Sequence, residues 1–181
     1  MLTQQLYGGG SLRTPMSYDA YLALGETKHH EYYDGLLFVN PPSRRHVLIA
    51  RRLTRVLEDA CPRGFEVYPE WGWHAADQRD FEPDIMVAAT SAPGTDLLRA
   101  APLLVIEVTS RSTASEDWGP KRSAYAQGGA NWYWIIDPGP GEVTIMRNER
   151  ADFVITQRLS GGRHVVPEPF PVTLDLPALL T

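Results

Sequence analysis

Residues 103 to 125, LLVIEVTSRSTASEDWGPKRSAY, decide how the chain is read. Leu103, Leu104, Val105, Ile106 and Val108 are apolar on both faces of a pleat, the pattern of a strand buried inside a sheet. Glu107 breaks that pattern. A buried carboxylate stays charged only beside a cation, a metal ion or several hydrogen-bond donors; otherwise its pKa rises until it is neutral. Thr109 and Ser110 end the strand. Pro120 then suits the first turn of a helix, with Gly119 or Asp117 near the cap. On that helix Lys121 and Tyr125 are four apart and share a face. A carboxylate on a core strand is thus followed 14 residues later by a lysine at the start of the next helix.

Working outward, Pro83 to Ala88 reads as the preceding strand, with Asp84 at its entrance, because proline suits a strand's first residue. Phe65 to Ala75 reads as one more strand, apolar at Phe65, Val67, Trp71 and Trp73. Before it, Ser43 caps the clearest helix, SRRHVLIARRLTRVLEDAC. Ile49, Leu53, Val56, Leu57 and Ala60 share one side of it, and Arg44, Arg45, Arg51, Arg52 and Arg55 gather on the other. His46 falls in the apolar arc, where a hydrogen-bonded core histidine is the commoner outcome than a ligand. The arginine stripe is either a solvated face or a phosphate contact.

Nearer the N-terminus, Asp34-Gly35 between His30–Tyr33 and Leu36–Val39 is a hairpin signal, and Ser17 caps a short helix ending near Gly25. Residues 1 to 14, with Gly8, Gly9 and Gly10 in a row, read as a flexible leader. Downstream, Trp132 to Asp137 is a buried strand, followed by a meander through Glu142–Arg147 and Phe153–Leu159, and Leu174 to Leu180 packs back on the body. His29-His30-Glu31 is a poor zinc site, since strand neighbours face opposite ways and no HExxH pattern is present.

The 181 residues suffice for one domain with a substantial core, and the single cysteine, Cys61, excludes an internal disulfide. No stretch approaches a membrane span, so the expected location is cytoplasmic. The net charge of −5 argues against holding nucleic acid by a global positive field. Residues 61 to 120 nevertheless concentrate ten acids against four arginines, as either a solvated acidic surface or a site for a hard cation would. Asp84 and Glu107 on neighbouring strands, with Lys121 on the next helix, are an inventory for metal-assisted phosphodiester hydrolysis. Asp84 as a strand-end cap and Lys121 in a structural ion pair are the plain alternatives.

Glu82-Pro83-Asp84-Ile85, Ile106-Glu107-Val108-Thr109-Ser110, Asp117 with Lys121 and Tyr125, and Trp132-Tyr133-Trp134-Ile135-Ile136-Asp137-Pro138 together resemble the Uma-two family of restriction endonucleases, a branch of the PD-(D/E)XK nuclease superfamily. Glu31 before Asp34-Gly35, and Ser43 with His46, fit as well. The resemblance implies an α/β (α+β) fold with a restriction-endonuclease-like core: a mixed central sheet flanked by helices, with additional antiparallel strands. It implies an endonuclease dependent on Mg²⁺ or Mn²⁺ and acting on DNA, with metal held by Asp84, Glu107 and the backbone carbonyl of Val108. The superfamily commonly places its lysine two residues after the second acid, where this chain has Thr109; Lys121 matches a position migrated to the next helix. By the same resemblance Glu31 and His46 complete the catalytic set. Arg44 and Arg45 of the arginine stripe are candidate substrate contacts, as is Tyr125, whose alternative is a packing residue with its hydroxyl at the site edge, and by analogy a homodimer would permit two cuts. A catalytically silent nucleic-acid-binding or scaffold protein, and a nuclease for RNA or structured nucleic acid, are the competing readings.

Overall fold

The structure is a computed structural model describing residues 5–7, 11–25, 29–94 and 96–181. Its first elements, β1 (Gln5–Tyr7) and β2 (Ser11–Pro15), pair antiparallel, so the expected leader is partly strand; Gly8, Gly9 and Gly10 lie outside the described residues. Long-range pairing orders β2, which a local pattern does not announce. Ser17 caps α1 (Tyr18–Leu22), its Oγ accepting the Ala20 N–H at 3.2 Å. β3 (His30–Tyr33) and β4 (Leu36–Val39) form the expected hairpin and β4 also pairs with β2. Asp34 and Gly35 take φ of +52° and +76°, as a tight two-residue turn requires.

Ser43 caps α2 (Arg44–Ala60) through the His46 N–H at 3.2 Å, and Ile49, Leu53, Thr54 and Leu57 are its buried face. The stretch expected as one strand from Phe65 is two: β5 (Phe65–Pro69) and β6 (Gly72–Ala76), which belong to different sheets. Glu70, at φ +49°, turns the chain between them. β7 (Arg79–Phe81) and β8 (Ile85–Ala89) follow, then the short β9 (Leu97–Leu98) and β10 (Leu104–Val108).

After β10 the chain enters α3 (Ala114–Glu116), a π-helical turn (Asp117–Lys121) and α4 (Arg122–Gln127). The helix expected to open at Pro120 therefore starts a turn and a half earlier, and Pro120 sits inside it. Proline lacks an N–H and its ring crowds the carbonyl four residues back, so the wider π turn is the local answer to its presence. β11 (Trp132–Asp137), β12 (Glu142–Glu149) and β13 (Asp152–Ser160) make the meander; β14 (Arg163–Val166) and β15 (Val172–Asp175) form a hairpin, and α5 (Leu176–Leu180) closes the chain.

Two large sheets carry the described strands except β14 and β15, which pair as a separate two-stranded sheet. One runs β13-β12-β11-β10-β8-β5, with β10 parallel to β11 and antiparallel to β8; the other runs β1-β2-β4-β3-β7-β6-β9. Side chains alternate along β10, and the alternation assigns its two faces. Leu104, Ile106 and Val108 join the core under α2, β15 and α5. Val105 faces the opposite core, where Tyr33, Phe38, Trp73 and Phe81 of the second sheet meet Ala124 and Tyr125 of α4. Glu107 shares the parity of Val105 and opens toward that second layer.

Candidate functional site

Glu107 is 3% exposed, so its partners decide its chemistry. Its Oε1 accepts from Lys121 Nζ at 3.1 Å and from the Tyr125 hydroxyl at 2.6 Å. Both donors come from the same helical face, four residues apart, as the sequence spacing predicts. Lys121 Nζ also lies 2.9 Å from Glu31 Oε1 and 3.8 Å from Asp117 Oδ1. The hairpin strand β3, the sheet strand β10 and the π turn thus meet at one ammonium.

Asp84 stands just ahead of β8. One of its oxygens accepts the Val108 N–H at 2.7 Å, tying the entrance of β8 to the end of β10, and the other meets His46 Nε2 at 2.9 Å. His46 lies in the first turn of α2, which is why a histidine inside an apolar arc is polar-partnered. Glu31 in turn accepts the Glu82 N–H at 3.2 Å. These groups line a cleft of about 190 Å³ whose walls include Ser43, Ser110 and Thr113.

The cleft holds a local excess of negative charge. Burial pushes the Glu107 carboxyl well up, Lys121 pulls it back, and Asp84, Asp117 and Glu31 push it up again. Burial likewise raises Asp117 to about 6, against the pull of Lys121 and the hydroxyls of Thr109 and Thr113. Burial disfavours the Lys121 ammonium, but Glu107 and Glu31 outweigh it and hold the lysine charged. For His46, burial works against the charged ring, while the hydrogen bond and charge of Asp84 more than offset it, so its pKa is raised. Four carboxylates around one lysine and one histidine are the donor set a hard divalent cation takes. Among the described residues, no three His, Cys, Asp or Glu side chains form a ready-made cage.

Of the residues singled out from the sequence, Asp84, Glu107, Val108, Lys121, Glu31 and His46 all line this cleft. Two candidate substrate contacts, Tyr125 and Arg45, make hydrogen bonds within the chain. Tyr125 is 0% exposed and spends its hydroxyl on Glu107, so it cannot touch a substrate. Arg45 donates to the Pro138 and Leu180 carbonyls at 3.0 and 3.1 Å, and Arg52 to Leu179 and Thr181 at 3.3 and 2.7 Å; these two arginines secure the C-terminal helix. Arg44 is exposed on α2. Asp117, placed by the sequence near a helix cap, is a buried cleft residue that pairs with Lys121. Its spacing of four before Lys121 was the available signal.

No helix among the described residues is long and apolar enough to cross a membrane. No curated protein matches the chain. A crystal structure of "a putative nuclease belonging to DUF820" from Anabaena variabilis ATCC 29413 is similar in fold. Its TM-score is 0.73 at 20% identity, over 92% of this chain and 98% of that one. The Uma2 family model, described as "Putative restriction endonuclease", matches residues 17–178, nearly the whole length in which the cleft is built. The chain belongs to the Uma2 family.

Proposed function

We propose that this protein is a divalent-metal-dependent endonuclease that hydrolyses phosphodiester bonds in DNA, with Mg²⁺ or Mn²⁺ as its ion. The observation that carries this reading is the buried Glu107, paired with Lys121 and facing the same cleft as Asp84. Asp84, Glu107 and the Val108 carbonyl would hold the ion. Bound there, it would lower the pKa of a water and neutralise charge on the transition state.

This chain's own residues supply the rest. Lys121, held charged by Glu107 and Glu31, orients the nucleophilic water or meets a phosphoryl oxygen. Asp117 and Glu31 fix the ammonium from two sides. His46 fixes the Asp84 carboxylate and, with its raised pKa, can carry a proton at Nε2. An acidic cleft repels a phosphate backbone, so the strand needs a basic guide beside it. Arg44, Arg51 and Arg55 provide one. At about 100° and 1.5 Å per residue they fall within roughly 40° of one another and span about 16 Å of α2, starting beside the cleft.

The test is cleavage of supercoiled plasmid, single-stranded DNA and RNA by wild type and Asp84→Ala, in Mg²⁺, Mn²⁺ and EDTA. Metal-dependent nicking of DNA that the variant loses is the expected outcome. A folded wild type that cuts none of the three substrates in either metal would sink the reading and favour a silent scaffold of the same fold.

A further inference from the structure

Tyr125 is spent on a job that neither packing nor substrate contact explains. Its ring is fully buried, edge-on to Phe81 and Tyr133 at 5.0 and 5.4 Å and tilted on Trp73 at 5.4 Å. Such a box would accept phenylalanine equally well, since the aromatic edge-to-face geometry needs no hydroxyl. The hydroxyl instead runs to Glu107 Oε1 at 2.6 Å, the oxygen that Lys121 also takes at 3.1 Å. Two donors on one carboxylate oxygen fix the torsion of the carboxyl plane, because rotating it would break both bonds at once. Tyr125 is itself immobile: α4 carries it, and the neighbouring Ala124 and Ala126 are buried.

We propose that Tyr125 is a positioning residue for the ion site: with Lys121 it occupies Oε1 of Glu107 and so presents Oε2 to the ion. This rests on the reading of Glu107 as a metal ligand given above. Groups that orient a ligand from behind commonly change metal affinity by 10–100-fold when removed. Lys121 alone does not replace the tyrosine, since its ammonium is divided among Glu107, Glu31 and Asp117.

Mn²⁺ alone is the probe, titrated by calorimetry into wild type, Tyr125→Phe and Tyr125→Leu, with thermal unfolding of each in EDTA. The expected result is a Phe variant that still folds cooperatively in EDTA yet binds Mn²⁺ about 10–100-fold more weakly. The Leu variant should be as weak in Mn²⁺ binding and should also lose thermal stability. A role in packing alone gives the opposite pattern, with full rescue of Mn²⁺ affinity by phenylalanine, and overturns the proposal. A Tyr125→Phe chain that fails to fold in EDTA overturns it too, by assigning the hydroxyl to the fold. Absence of Mn²⁺ binding by wild type is distinguishable from both: the metal-site reading itself then falls, and this proposal with it.

Discussion

Lys121 meets three buried carboxylates, those of Glu31, Glu107 and Asp117, and is 6% exposed itself. Removing one partner of a buried ionic cluster leaves the others uncompensated, at a cost of about 3–5 kcal/mol. Lys121→Met should lose that much stability at pH 8 in EDTA, measured by urea unfolding, and recover part of it at pH 5 as the carboxyls take up protons. A loss under 1 kcal/mol, on the order of a surface pair, would mean the lysine is not what holds these acids together. At this scale Glu107 was legible because a charged residue inside an apolar run is a local contradiction, and Lys121 through its spacing of four to Tyr125 on the next helix. Asp117 offered no such contradiction. It sits in a polar stretch, and only the π turn carries it inward.

Elements with strong local signals formed where their residues say. The Asp34-Gly35 hairpin and α2 with its Ser43 cap depend on neighbours a few positions away, and β10 on an unbroken apolar run. Elements that depend on distant partners did not declare themselves. Phe65 to Ala75 reads as one alternating strand, yet it divides between two sheets at Glu70, and nothing in the alternation marks that change of partner. The arginines of α2 divide in the same way. Arg45 and Arg52 turn to carbonyls of chain segments 93 to 135 positions away, and helical periodicity cannot report that. The remaining exposed row carries a prediction at the level of the helix. Arg44→Ala, Arg51→Ala and Arg55→Ala combined should weaken duplex DNA binding and lower the slope of log K against log salt by about 2–3, read by fluorescence anisotropy in Ca²⁺ or EDTA. An unchanged slope would leave the row a solvated face.

For the whole molecule, a site that buries and gathers acids costs stability. Two sheets and α4 bury Glu107, and the same burial raises Glu107 and Asp117 above ordinary carboxylates. The sign of the consequence is fixed. Between the unfolded pKa near 4 and the folded value of about 6, folded Asp117 binds more protons than unfolded, so stability falls as pH rises through that window. Glu107, raised for the same reason, acts in the same direction. His46, raised by Asp84, contributes stability that is full below its unfolded pKa and is lost as pH rises through the folded one. All three slopes agree for the metal-free protein, and a bound divalent cation should reverse the effect by compensating the carboxylates.

The most direct test is therefore urea unfolding of wild type and Asp84→Ala at pH 5 and pH 8, each in EDTA and in Mn²⁺. Wild type in EDTA should be less stable at pH 8 than at pH 5, by about 1–2 kcal/mol from Asp117 alone. Mn²⁺ at a hundredfold excess over its dissociation constant should restore about 2.7 kcal/mol to wild type at pH 8 and nothing to Asp84→Ala. An equal Mn²⁺ gain in both proteins, or a wild type whose metal-free stability rises from pH 5 to pH 8, would contradict a metal centre built on Asp84 and Glu107.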